Sequence, residues 1–582
     1  MKPKSLISDN LFNKYWLKKS MIVNWTKQPS SALTKFNNWY TFGTLSVYDN
    51  CIKKNLNPRQ KNKDAIITID NNKKIKKYTY AETDQLVNDF IHFLKDNYKF
   101  IFFKKSKMMI HSSASIESAI SMLACTKMGI HFSVIFEELE EKAILSRIKL
   151  FKPDIFFTKL NKINFDKKFN NNLIQNKNKI LYFEDFTKNR NINPKKNNSK
   201  IVKSNDDFFT LFTSGSTGTP KGITHSYGGY LVYAKFTCQS QFGMKKKSIV
   251  LTASDAGWIN GHTYSLFGPL SIGSTTILLQ TPLLVLDKDI LKKILSFNID
   301  ILYLPVTIIR MMKSLFKNST LKKNKINTLG SMGEPLAPSV GKWYANFFGN
   351  KKKAIVNTYF QTETAGIICS PKFNQISKKV PHGSVGSPAT KFIKLNKPTK
   401  KINEIKITTP WPGCMKSILN GKKEWQKYWD KNGSFKLFDL ATKRNKNIYI
   451  HGRTDDVINI RGHRVGSEEI ESAILKKKEV LECCAVGIDD PLEGTVLVIF
   501  IVSSKKINNI IEKEIFENFG SFAIPKKIYY LSELPKTRSG KVLRRLLRSI
   551  LLNPKKKFYG DTTTLLNPNV IKQVQNLLSN DA

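Results

Sequence analysis

At 582 residues, with 41% hydrophobic and 11% aromatic side chains, the chain is too long for a single core and holds ample apolar material for two or more domains. Lys and Arg number 95 against 45 Asp and Glu, a formal charge of +50, but the lysines are scattered among asparagines and lack the interleaved aromatics of a base-stacking surface. That pattern argues for compositional drift over a nucleic-acid-associated protein, and leaves a field that draws in polyanionic small molecules.

Seven cysteines show no CxxC or Cys/His spacing, which disfavours a zinc site, and their odd number disfavours a disulfide framework. The first fifteen residues carry Lys and Asp and no apolar h-region, and the longest apolar runs are strand-sized. The expectation is a cytoplasmic protein with neither a membrane nor a nucleic acid as partner.

In chain order, Ile116, Ala119, Ile120 and Leu123 recur at helical spacing, with Gly129 as C-cap before an apolar stretch at 130–135. The basic, Asn-rich segments 161–179 and 188–203 read as solvated loops. Residues 301–304 read as a buried strand stopped at Pro305, followed by a helix over 308–315. Strands at 448–450 and 457–460 flank a polar turn and are expected to pair with each other. Ser467 reads as the N-cap of a helix, and 496–502 as a further buried strand. The alternation predicts an α/β fold with largely parallel sheets, a large domain over 1–454 and a small α/β domain over 455–582.

The strongest chemical signal is LFTSGSTGTPKG at 211–222. Glycines permit a tight loop with inward amides, hydroxyls add donors and Lys221 adds positive charge, which together make a phosphate cradle. Pro220 between the last Thr and the Lys separates it from the GxxxxGK[ST] nucleotide loop. A flexible Ser/Gly linker would not follow the apolar run 208–212 and end in Pro-Lys-Gly.

Beside this loop stand ASDAGWINGHTYSLFGP (253–269), LYLPVTIIR (302–310), GSMGEP (330–335), TYFQTET (358–364), WPG (411–413), EWQKYW (424–429), GRTDDVINIRGHRVGSEEI (452–470) and PKTRSGKVLRR (535–545). With these the sequence resembles the adenylate-forming enzymes, and within them the acetyl-CoA synthetase group, from about Trp39 to Arg548. The resemblance implies a large adenylation domain of stacked α/β subdomains, a mobile C-terminal lid, and ligation of a short acid to coenzyme A with ATP and Mg2+. Acetate is the first choice of acid, with propionate or another C3–C4 acid as the alternative.

The resemblance also implies roles. Thr213, Ser214, Gly215, Ser216, Thr217, Gly218 and Lys221 would grip the leaving phosphates. Gly333, Glu334 and Pro335, with Asn357, Thr358, Tyr359 and Phe360, would hold adenine, and Thr362 and Glu363, flanked by the nucleotide-binding Gln361, would meet the phosphates, with Glu363 on Mg2+. Asp439 would accept from the ribose hydroxyls, Arg453 would add charge nearby, Arg464 would be a further nucleotide-binding residue, and Asp455 would be the hinge. A glycine is expected before Asp439, where Phe438 stands. Lys541 would stabilise the reacting α-phosphate, and its acetylation would make it a regulatory switch served by acetylation and deacetylation machinery. Histidines 225, 262 and 463 are assigned structural or lining roles.

Ile259, Asn260, Met332 and Phe360 would line the acyl pocket, where the acetate enzymes have Val, Thr, Val and Trp. Asn260, Arg461 and Gly462 would lie on the coenzyme A path. Arg461 replaces a small residue there, and 161–179 offers lysines where an Arg- and Gly-rich segment often binds the coenzyme A nucleotide. That departure leaves a further alternative, a ligase that adenylates without using coenzyme A.

Overall fold

The computed structural model describes residues 10–35, 37–98, 106–139, 141–169, 179–189, 197–213, 220–316, 320–321, 324–396, 402–419, 421–454, 457–460, 463–490, 494–537, 540, 542–556, 559 and 565–579. Among them, two seven-stranded sheets organise the larger part of the chain.

The first sheet runs, in spatial order, Lys179–Tyr182, Ile155–Thr158, Lys107–His111, His131–Ile135, Asp207–Thr213, Lys221–Ser226 and Ser417–Leu419. Its first five strands are parallel. One connection shows why. The Ser115 side chain accepts from Ser118 N to start the helix Ile116–Met128, and Gly129 at φ 65 ends it, so the chain re-enters the sheet at His131. The last two pairings turn antiparallel, and this reversal sets Thr213 opposite Lys221.

The second sheet runs Val356–Asn357, Thr328–Met332, Ile301–Pro305, Ile249–Thr252, Thr275–Leu279, Asp64–Ile69 and Ile75–Thr79, parallel except at the last pairing. The helix Tyr227–Phe242 is buried on nearly every face and contributes to two apolar clusters, as expected of a helix that is hydrophobic all round. A third, antiparallel sheet joins Asn403–Ile407, Phe435–Arg444 and Asn447–Arg453. Its hairpin turns on Asn445 and Lys446, both at positive φ, which suits the twist of the flanking strands.

Beyond residue 456 the chain builds its own cores around the sheet Val480–Asp490, Gly494–Ser503 and Lys527–Tyr530. Helices Ser467–Ile474, Asn508–Phe519, Arg544–Leu552 and Asn569–Ser579 accompany it.

The structure corrects three local expectations. Residues 448–450 and 457–460 do not pair with each other. Asn447–Arg453 pairs with Phe435–Arg444, and Val457–Ile460 forms a separate hairpin with His463–Gly466. Gly466, not Ser467, is the N-cap, and Ser467 is the first helical residue. Segment 161–179 is not all loop, since Asn161 caps a helix Lys162–Lys168 whose Phe165 packs inward with Phe169. All seven cysteines are free and buried. No helix among the described residues is long and apolar enough to cross a membrane.

Candidate active site

The register of the first sheet makes Thr213 and Lys221 the two posts of the glycine-rich loop. Residues Ser214, Gly215, Ser216, Thr217 and Gly218 lie outside the described residues. Lys221 Nζ pairs with Glu424 Oε2 at 2.9 Å and sits 5.6 Å from the centre of the Tyr428 ring. Glu424 is held below the usual carboxylate range by Lys427 and then by Lys221, so it stays ionised.

Tyr428 leads onward. Its hydroxyl donates to Glu363 Oε1 at 2.7 Å, and burial, reinforced by the charge of Glu363, pushes its pKa far up, so the proton stays on the phenol. Glu363 occupies the short 3-10 turn Thr362–Thr364, which is pinned from several sides. Met415 N donates to Glu363 O, and Trp411 Nε1 to Thr364 O. A Cβ at Gly413 would lie 2.6 Å from Thr364 O, so the WPG segment packs directly behind the turn. His225 Nε2 lies 2.8 Å from Thr362 O, and burial depresses its pKa to about 4, which makes it a neutral donor to that carbonyl.

Asp439 sits one strand away. It accepts from Tyr359 Oη at 2.7 Å and from Gln361 Nε2 at 2.6 Å, while Arg453 Nη1 stands 3.5 Å off, its partner across the strand pairing. Phe438 adopts φ 55, the left-handed region that favours glycine. Its ring stays in place edge-on to Tyr428, with the Arg453 guanidinium 5.8 Å away. The conformation expected of a glycine is therefore kept, with strain of about 1–3 kcal/mol.

Gly333, at φ 89, is exposed and has open space where a Cβ would be. Glu334 is committed elsewhere, to Arg310 and to Thr307 Oγ1. Pro335 is half-buried. Asn357 accepts from Ser331 and donates to Ser384 O, and Thr358 donates to Ser331 O. Of the four residues expected to line an acyl pocket, Met332 and Phe360 share one apolar cluster. Asn260 Nδ2 reaches Met332 Sδ at 2.7 Å, Phe360 meets Tyr264 edge-on at 5.8 Å, and Ile259 is buried. Asn260 immediately precedes a π-helical segment, Gly261–Phe267, a rare geometry that concentrates at functional sites.

The C-terminal region touches this centre through Gly540, whose carbonyl accepts from Thr307 Oγ1 at 2.7 Å. Lys541, Asp455, Arg461 and Gly462 lie outside the described residues, and for Arg464 only its place in the strand His463–Gly466 is described.

Sequence reasoning did not single out Thr307, Arg310, Glu424 and Tyr428. Each stands inside a recognised motif, and no other local signal marks it. Glu363, a buried carboxylate joined to Lys221 through Tyr428, fits Mg2+ that arrives with substrate phosphates, the usual way this ion is bound. Among the described residues no group of three or more His, Cys, Asp or Glu could hold a metal by itself.

Comparison with known proteins then decides the family. Residues 55–402 match the model of the AMP-binding enzymes, and 469–541 that of the AMP-binding enzyme C-terminal domain. The chain belongs to the AMP-binding enzyme family. Acetyl-coenzyme A synthetase of Helicobacter pylori (strain P12) is 33% identical, over 96% of this chain and 91% of the relative. That of Leptospira biflexa serovar Patoc (strain Patoc 1 / Ames) is 30% identical, over 96% and 93%. These place the chain in the acetyl-CoA synthetase group, the AMP-forming acid–CoA ligases that use ATP, Mg2+ and coenzyme A. In fold it is similar to acetoacetyl-CoA synthetase from Streptomyces lividans, with TM-score 0.82 and 16% identity over 98% of this chain and 93% of that one.

Proposed function

We propose that this AMP-binding enzyme activates acetate as its main acid, through the residues gathered above. The observation that carries the reading is two sets of contacts that meet in the segment 359–363: Lys221 to Glu424 and Tyr428 and Tyr428 to Glu363, and Gln361 and Tyr359 to Asp439. They bring together the phosphate-loop lysine, a buried carboxylate and the acceptor assigned to the ribose, with the apolar side chain of Phe360 in the same segment.

The acid is already ionised at neutral pH, so no protein base is needed. Its carboxylate oxygen attacks the α-phosphorus, the α–β bridging bond breaks, and pyrophosphate leaves from the grip of Thr213, Lys221 and the loop between them. Lys541 stabilises the charge on the α-phosphate oxygens. Glu363 would hold Mg2+, which would supply neutralisation of the phosphate charge. The thiolate of coenzyme A then attacks the acyl carbon, and AMP leaves.

In this reading residues 1–454 form the adenylation domain and 455–582 a lid that turns about Asp455, withdrawing Lys541 for the thiol. Asn260, Arg461 and Gly462 line the thiol's path, and Arg464 lies near the nucleotide. Acetylation of Lys541 would erase its charge, so lysine acetylation machinery is a partner in this reading, and the cytoplasm is the compartment.

Short acids fit because Phe360 is smaller than the Trp of acetate enzymes, while Ile259 and Met332 are larger than the valines there. A panel of C2 to C6 acids in one CoA-release assay tests this, with Phe360→Trp shifting preference toward acetate. Each methylene is worth only roughly 1–3 kcal/mol, so acetate and propionate overlap. Better turnover of hexanoate than of acetate or propionate would refute the substrate class and leave the adenylation chemistry standing.

A further inference from the structure

Gly540, which precedes Lys541, meets the core at the side chain of Thr307. Thr307 Oγ1 lies 2.7 Å from Gly540 O and 2.8 Å from Glu334 Oε1. Both neighbours only accept, and a hydroxyl has one proton, so Thr307 can donate to one of them at a time. Arg310 Nη2 stands 3.3 Å from the same hydroxyl and pairs with Glu334, which keeps that carboxylate partnered whichever way the hydroxyl turns.

The fit leaves no room for change. A Cβ on Gly540 would lie 2.5–2.6 Å from Cβ, Cγ2 and Oγ1 of Thr307, and Gly540 sits at φ 84. Thr307 is buried in the first turn of the helix Val306–Leu315, which directly follows the strand-ending Pro305, so its position is rigid. Charges around the contact are complementary. Burial alone would lower the Arg310 pKa, but Glu334 in the core and Glu482 and Glu468 in the C-terminal region outweigh it.

We propose that Thr307 is a positioning residue: its hydroxyl, keeping its proton, turns its hydrogen bond from Glu334 to the Gly540 carbonyl as the C-terminal region docks, latching that region for adenylation alone. The inference rests on the role given to Lys541 above. A donor with a second acceptor in reach is not stranded when the lid leaves, so release creates no buried unsatisfied hydroxyl. The latch therefore holds the lid without trapping it, as an enzyme with two half-reactions needs.

The test uses the full-length enzyme and two assays, ATP–pyrophosphate exchange with acetate, and thioester formation from supplied acetyl-AMP and coenzyme A. Thr307→Val removes the hydroxyl at nearly constant shape. It should lower the exchange kcat roughly tenfold, the scale of one lost hydrogen bond, with the KM for ATP and the thioester step nearly unchanged. Thr307→Ser should restore exchange. Should the Val variant not fold, Thr307→Ser against Thr307→Ala makes the same comparison. Equal losses in both assays, or a rise in the KM for ATP at constant kcat, would overturn the latch, because the residue would then act through general stability or through the nucleotide loop at Glu334. A wild-type enzyme without exchange on any C2–C4 acid would instead sink the functional reading, and the latch with it.

Discussion

The Tyr428 hydroxyl donates to Glu363 Oε1 across 2.7 Å, although 65 residues separate the two in the chain. One aromatic side chain thus fixes the carboxylate assigned to Mg2+ and, on its ring face, accompanies the ammonium of Lys221. Tyr428→Phe keeps the ring and removes the proton that orients Glu363 from this side. Exchange should fall by roughly tenfold, the scale of a hydrogen bond to a charged group, and Mg2+ titration should show a higher half-saturating concentration. An unchanged Mg2+ response would show that Glu363 does not depend on Tyr428.

Phe438 gives a reversal of the usual order of substitutions. Alanine there would lose the ring contacts and keep the strain of φ 55, whereas glycine loses the ring but relaxes the backbone. Thermal unfolding should rank wild type above Phe438→Gly and Phe438→Gly above Phe438→Ala, the last two separated by about 1 kcal/mol. An alanine variant more stable than the glycine variant would contradict the strain.

His225 makes stability sensitive to acid. Its pKa in the folded protein is about 4, depressed by burial, against 6.5 for the free side chain. Between those values the unfolded chain takes up a proton that the folded chain does not, so stability falls as pH drops from about 6.5 to about 4. It is fully present above that window and levels off below it. His225→Gln retains a donor for Thr362 O and cannot titrate. Its denaturation curves should lose about 3 kcal/mol less across that window than wild type, since one bound proton changes stability by about 1.4 kcal/mol for each pH unit. Identical pH slopes would remove His225 as a source.

Much of the fold was legible because local signals agreed with the global one. Ser115 and Gly129 bracket their helix, and the strand before the glycine-rich loop is where the apolar run 208–212 put it. The strand partners at 447–460 were not legible, since alternation specifies a strand but not its neighbour. In the candidate site, Glu363, Asp439 and the residues proposed for an acyl pocket could be singled out from motif order. Thr307 and Tyr428 could not, because they act through partners 233 and 65 residues away, and nothing local announces such a contact. Phe438 was visible as a departure, but only the backbone showed that it keeps the conformation of the glycine it replaces.

Lys541→Ala separates the half-reactions. Exchange should fall at least ~10²-fold, the scale of one oxyanion-stabilising donor, while thioester formation from supplied acyl-AMP survives. Equal losses in both would remove Lys541 from the adenylation step, and full activity of the acetyl-lysine form would remove it as a switch.

The most direct measurement is product stoichiometry for the wild-type enzyme with acetate, ATP, Mg2+ and coenzyme A, alongside pyrophosphate exchange with coenzyme A left out. The account predicts exchange that requires the acid but not the thiol, and one AMP and one pyrophosphate for each acetyl-CoA. ADP and phosphate as products, or exchange with no consumption of coenzyme A when the thiol is supplied, would contradict it.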